Sequence, residues 1–164
     1  RGHHASNVLP DGSLLISNEP MRTRAQILAE NMQKFGHPDV IVTNNYPKDF
    51  QKAGVLFDVI LADVPCSGLG VLKRNPDAKW RDTAERLPVL VALQEEILQR
   101  YSQMVKVGGL LVYATCSILP EENRQQVDKF LAANEHFRLI GDHNVSPAET
   151  GFDGFYMARL ERIA

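Results

Sequence analysis

The chain has two cysteines, and both stand where a thiol could do chemistry. Cys66 lies in Asp63-Val64-Pro65-Cys66-Ser67-Gly68, and Cys116 in Tyr113-Ala114-Thr115-Cys116-Ser117. Each follows an apolar run, Val59-Ile60-Leu61-Ala62 in the first case and Leu110-Leu111-Val112 in the second. Proline restricts the residue before it to extended geometry. Pro65 therefore ends its strand in an irregular loop and leaves Cys66 facing a crevice. A free cysteine is commonly a small buried hydrophobe, but an ionised one is a nucleophile. Two cysteines that both end strand-like runs beside hydroxyl residues favour the nucleophile. In open α/β sheets the ligand crevice lies outside those strand ends.

Other strand ends carry polar groups as well. Glu19 follows Ser13-Leu14-Leu15-Ile16-Ser17, Asn44-Asn45-Tyr46 follows Asp39-Val40-Ile41-Val42-Thr43, and Asp63 ends the run before Cys66. A carboxylate placed like Glu19 can hold ribose hydroxyls. The same acid near a helix N-terminus is favoured by the helix dipole alone, so both roles stay open. Gly68-Leu69-Gly70 lacks the third glycine of a dinucleotide fingerprint and is a weak signal. Lys73, Arg74, Lys79 and Arg81 form the densest basic cluster, with Trp80 among them. They read either as a solvated loop or as phosphate contacts beside an aromatic stacking platform. His3-His4 are adjacent and cannot share a helix face, so no metal site is expected.

The elements that must position these residues alternate. A strand over Ser13–Ser17 leads to a helix, with Pro20 early, Ala25, Ile27, Leu28, Met32 and Phe35 at helical spacing, and Gly36 as its stop. Asp39–Thr43 is a second strand. A polar loop or short helix leads to Phe57–Ala62, a third strand apolar on both faces, as a central parallel strand is. An irregular segment from Gly68 to about Asp82 precedes a helix over Leu87–Val105, with Leu90, Leu93, Ile97, Leu98 and Tyr101 as its stripe. Gly108-Gly109 turns into a fourth strand, Leu110–Ala114. Pro120-Glu121-Glu122-Asn123 opens a helix that turns Val127, Phe130 and Leu131 inward. Phe137–Ile140 and Phe155–Leu160 are strands flanking the turn Gly151-Phe152-Asp153-Gly154. This alternation predicts an α/β fold with a mostly parallel sheet covered on both faces, its last two strands pairing as an antiparallel edge.

The 164 residues suit one domain with a real core. At 44% hydrophobic and 23% charged, the chain is neither disordered nor a coiled coil. A net charge of −2 supplies no global field for nucleic acid or anionic membrane, so any such face is local. No apolar run reaches membrane-spanning length and no signal peptide opens the chain. Two cysteines are too few for a secreted disulfide scaffold, which points to a reducing, cytoplasmic setting.

At these residues the chain resembles the Sun/Nol/Nop family of RNA (cytosine-5) methyltransferases. The matching motifs are Asp63-Val64-Pro65-Cys66-Ser67-Gly68, Arg74-Asn75-Pro76-Asp77 with Lys79-Trp80, and Gln94-Glu95-Glu96-Ile97-Leu98. Gly108-Gly109, Tyr113-Ala114-Thr115-Cys116-Ser117, Pro120-Glu121-Glu122-Asn123 and Gly151-Phe152-Asp153-Gly154-Phe155-Tyr156 continue the match. The resemblance implies a Rossmann-like methyltransferase sheet, S-adenosylmethionine (SAM) as donor, and a cytidine in RNA as acceptor, ribosomal RNA ahead of transfer RNA. It implies Cys116 as nucleophile, Cys66 as the thiol that assists product release, and Asp63 between cofactor and base. Glu19, Asn45, Asp63 and Pro65 would line the cofactor, and Lys73, Arg74, Lys79 and Arg81 the RNA. Asn44-Asn45-Tyr46 stands where the family usually has an acid near the adenine. The family's first strand and glycine-rich loop precede Asp11. Residues 1–10 are thus expected to be a disordered or truncated segment, and 11–164 the carboxyl-terminal two-thirds of a catalytic domain. The competing expectation is a methyltransferase-like module that binds RNA or a protein and has lost SAM.

Overall fold

The computed structural model describes residues 10, 12–35, 39–71, 83–151 and 153–164. The expected amino-terminal segment, Pro10 apart, lies outside them, as do Gly36 and Phe152. The chain forms two compact units, within residues 1–53 and 54–164.

The first unit is a β-α-β crossover. Strand β1 (Leu15–Asn18) leads through helix α1 (Arg22–Phe35) to β2 (Val40–Thr43), and α2 (Pro47–Lys52) follows. The strands pair in parallel, Leu15 opposite Val40 and Asn18 opposite Thr43. Helix α1 buries Ala25 and Met32, seven residues apart and so on one face, and exposes Ile27. Helix α2 is the short-helix alternative. Pro47 suits its first turn, and Asp49 reaches back to accept the Tyr46 amide at 2.8 Å.

The second unit holds β3 (Phe57–Asp63), α3 (Thr83–Ser102), β4 (Val105–Thr115), α4 (Arg124–Ala133), β5 (Phe137–Val145), α5 (Pro147–Thr150) and β6 (Phe155–Arg162). Its sheet runs β3-β4-β6-β5. Strands β3 and β4 are parallel, while β4–β6 and β6–β5 are antiparallel. The expected antiparallel pairing of the last two strands is present, with β6 between β4 and β5. Leu98, Leu111, Tyr113, Val127, Phe130, Ala158 and Leu160 form the centre of its core.

Three expectations shift. Strand β3 is the terminal strand of its sheet. Ile60 and Ala62 pack on the core, but Val59 and Leu61 on the opposite face are 56% and 55% exposed. With a side-chain period of two, a strand needs cover on both sides to bury both sets. Strand β4 starts at Val105 and runs through Gly108-Gly109 instead of beginning after them. A Cβ on Gly109 would meet the Asp58 carbonyl at 2.7 Å, which is why glycine stands at this irregular pairing. Helix α3 begins at Thr83, and its buried face carries Gln94, 0% exposed, while the expected Leu93 is 39% exposed. Among the described residues no helix is long and apolar enough to cross a membrane.

Candidate active site

Parallel pairing of β3 with β4 puts their carboxyl ends side by side, Asp63 opposite Ala114. The pairing continues past the strands, since the Val64 amide donates to the Ala114 carbonyl at 3.1 Å and the Gly70 amide to the Cys116 carbonyl at 2.9 Å. The two cysteine loops therefore run together. Cys66 Sγ lies 3.3 Å from Cys116 Sγ; both thiols are free and half-buried.

This proximity sets the acid–base behaviour of the pair. The hydrogen bond with Cys116 and, next, burial push the Cys66 thiol far above the ordinary thiol range. Two adjacent sulfurs do not both ionise readily.

Behind the thiols lies a buried polar network. Glu122, 0% exposed, accepts the Ser67 amide at 2.8 Å and the Ser67 hydroxyl at 2.6 Å. The Ser117 hydroxyl also donates to it, and Gln94 Nε2 donates at 3.0 Å. Gln94 Nε2 donates as well to the Pro65 carbonyl at 2.9 Å, and Gln94 Oε1 accepts from Gln126 Nε2 at 3.2 Å. Thr115 Oγ1 donates to Asn123 Oδ1 at 2.6 Å, and Asn123 Nδ2 donates to the Ser117 carbonyl at 3.0 Å. The Tyr113 hydroxyl donates to the Glu122 carbonyl at 2.6 Å. Burial, then the nearby Glu122 charge, push the Tyr113 phenol well above its usual range. Among the described residues no buried side-chain polar atom lacks a partner, as a buried network requires.

The structure thus brings Cys66 and Cys116 together. Asp63 is the last residue of β3 and is exposed; Pro65 is exposed, and its carbonyl is taken by Gln94. Glu19 and Asn45 belong to the first unit, at the carboxyl ends of β1 and β2. Glu19 Oε1 accepts the Met21 amide at 3.0 Å, as an acid ahead of α1 should, and Oε2 has Arg24 at 3.9 Å. Asn45 is fixed through its main chain, its amide donating to Asn18 Oδ1 and its carbonyl accepting Asn18 Nδ2, both at 3.0 Å. Lys73, Arg74, Lys79 and Arg81, with Trp80, lie outside the described residues. Among the described residues no group of three or more His, Cys, Asp or Glu could hold a metal.

Sequence reasoning assigned no role to Glu122, Gln94, Asn123 or Gln126. The available signal was a glutamine amid Leu90, Leu93, Ile97 and Leu98, an amide set in an apolar stripe.

Alternating α/β elements and parallel pairs with an antiparallel edge give a Rossmann-like methyltransferase fold. The family model for the 16S rRNA methyltransferase RsmB/F matches residues 1–161, and the chain belongs to that family. It is similar to ribosomal RNA small subunit methyltransferase B of Vibrio cholerae, 41% identical in an alignment of 158 positions that covers 92% of this chain and 36% of that protein. The corresponding protein of Pasteurella multocida is 37% identical, over 86% of this chain and 35% of that one. The chain therefore spans about a third of the length of the curated relatives it matches. Among solved structures, NSun6 from Pyrococcus horikoshii with SFG has the same fold, with a TM-score of 0.86 at 23% identity over 99% of this chain and 44% of that one.

Proposed function

We propose that this chain belongs to an enzyme that methylates carbon 5 of a cytidine in small-subunit ribosomal RNA through a covalent adduct with Cys116. The observation that carries this reading is the 3.3 Å approach of two free thiols at adjacent strand ends. Carbon 5 of cytosine is a poor nucleophile in the intact ring. A thiolate that bonds to carbon 6 pushes electrons into an enamine, and carbon 5 becomes nucleophilic. The base must be single-stranded or flipped, because stacking shields the carbons attacked.

Cys116 supplies the attacking sulfur, the role the family resemblance implies, with Cys66 beside it at 3.3 Å. Asp63, at the end of β3, favours the adduct by holding a proton at the base nitrogen. After methylation the carbon 5 proton leaves to water and the sulfur–carbon 6 bond breaks, its electron pair returning to Cys116. Cys66 assists that departure by donating its S–H to the leaving sulfur.

The donor set fits SAM. Glu19 offers an acceptor carboxylate for ribose hydroxyls, and Asn45 an amide for the adenine, both within the first unit; the family resemblance alone adds Asp63 and Pro65 of the second. Bound SAM would supply the electrophilic methyl group. Lys73, Arg74, Lys79 and Arg81 would contact RNA phosphates. A pair of free thiols suits a reducing compartment, and we place the enzyme in the cytoplasm. The test is labelled methyl transfer by the complete protein to small-subunit ribosomal RNA. Label on cytidine carbon 5, lost in Cys116→Ala, is expected; RNA binding with no transfer in the wild type overturns the reading in favour of a binding module.

A further inference from the structure

A buried carboxylate needs a reason. Taking it out of water is costly unless its hydrogen bonds are complete, and an apolar side chain in the same space is often at least as stable. Glu122 is 0% exposed, yet it lies outside the thiol pair itself. Its donors are informative. Ser67, through amide and hydroxyl, and Ser117, through its hydroxyl, are the residues immediately after Cys66 and Cys116. The two hydroxyls also face each other at 3.1 Å. One carboxylate therefore grips both cysteine loops one residue beyond the sulfurs. Gln94 locks it from helix α3, spending one amide hydrogen on Glu122 and the other on the Pro65 carbonyl, directly before Cys66.

We infer that Glu122 is a positioning residue, held by Gln94, that sets the separation of Cys66 and Cys116. Without it the loops keep the main-chain bonds from Val64 to Ala114 and from Gly70 to Cys116. The segment between those anchors, which carries both sulfurs, loses its shared tether. The inference rests on the reading of the two cysteines as the reacting pair, and it deepens that reading by naming what holds the pair.

The spacing can be read without RNA or SAM. In a glutathione redox buffer the protein dithiol and glutathione disulfide equilibrate with the protein disulfide and two glutathiones. The constant reports how well the two sulfurs are held for each other. Glu122→Ala should lower it about tenfold, read by mass spectrometry after acid quenching and alkylation. Ser67→Ala/Ser117→Ala removes the hydroxyl links and spares the carboxylate. It should lower the constant in the same direction and stands in should Glu122→Ala fail to fold. Phe130→Leu, destabilised in the core away from the loops, should keep the wild-type constant. An unchanged constant in the double variant, or an equal fall in Phe130→Leu, overturns the inference. Because no methyl transfer is read, failure here leaves the proposed reaction standing, and failure of the reaction leaves this result intact.

Discussion

Gly70→Ala tests how tightly the cysteine loops are crossed. Gly70 lies in the turn after Cys66, where its amide donates to the Cys116 carbonyl at 2.9 Å and its carbonyl accepts the Gly154 amide at 2.6 Å. Three chain segments meet at one residue. A Cβ there would run into the Gly154 carbonyl oxygen and sit 2.7 Å from the Cys116 oxygen and 2.8 Å from the Gly154 carbonyl carbon. All three are backbone atoms, so no side chain can swing aside. Two weakened hydrogen bonds at about 1 kcal/mol each, with about 1–3 kcal/mol of overpacking, give a loss of about 3–5 kcal/mol. Near the middle of that range, Tm falls by about 8–16 °C for a domain of this size. Circular dichroism melts measure it directly. Gly108→Ala is the comparator, because its added Cβ meets nothing within 4 Å although its φ is +81°. That variant should lose about 1–2 kcal/mol from the left-handed backbone alone. A Gly70→Ala protein that melts within about 1 °C of wild type would show that the crossing is not as tight as argued.

Two further perturbations probe charge. Burial first, with the Glu122 charge second, raises the Tyr113 phenol, and burial first raises that of Tyr156. The fold thus favours the neutral forms. Their stabilisation is fully present below the unfolded phenol value of about 10 and is lost as pH rises beyond it. Urea midpoints should drop between about pH 10 and 11.5, and less steeply in Tyr113→Phe; identical slopes would refute the assignment. Replacing Lys73, Arg74, Lys79 and Arg81 with alanine in the complete protein should flatten the salt dependence of RNA binding by releasing fewer counterions. A slope equal to wild type would make the cluster a solvated loop.

The sequence made the frame legible because its signals were local. Apolar runs bounded by Asp11-Gly12, Pro47 and Pro65 mark strands, and Val127, Phe130 and Leu131 point inward at the expected helical spacing. The thiol pair was legible from two strand ends that share a pattern. The exposed face of β3 was not, because Val59 and Leu61 read as core whether or not anything covers them. Nor was the role of Glu122. An acid in Pro120-Glu121-Glu122-Asn123 looks like an ordinary helix-opening charge. Only the fold shows it buried against Ser67 and Ser117, which are far from each other in sequence.

The central claim is the division of labour between the thiols, and covalent capture of RNA measures it most directly. Complete protein carrying Cys66→Ala or Cys116→Ala is incubated with ribosomal RNA and SAM, then run on a denaturing gel. Cys66→Ala should attack and methylate but release poorly, giving a slow protein–RNA band; Cys116→Ala should form none and transfer no methyl. A band trapped by Cys116→Ala and absent from Cys66→Ala would reverse the roles and contradict the account.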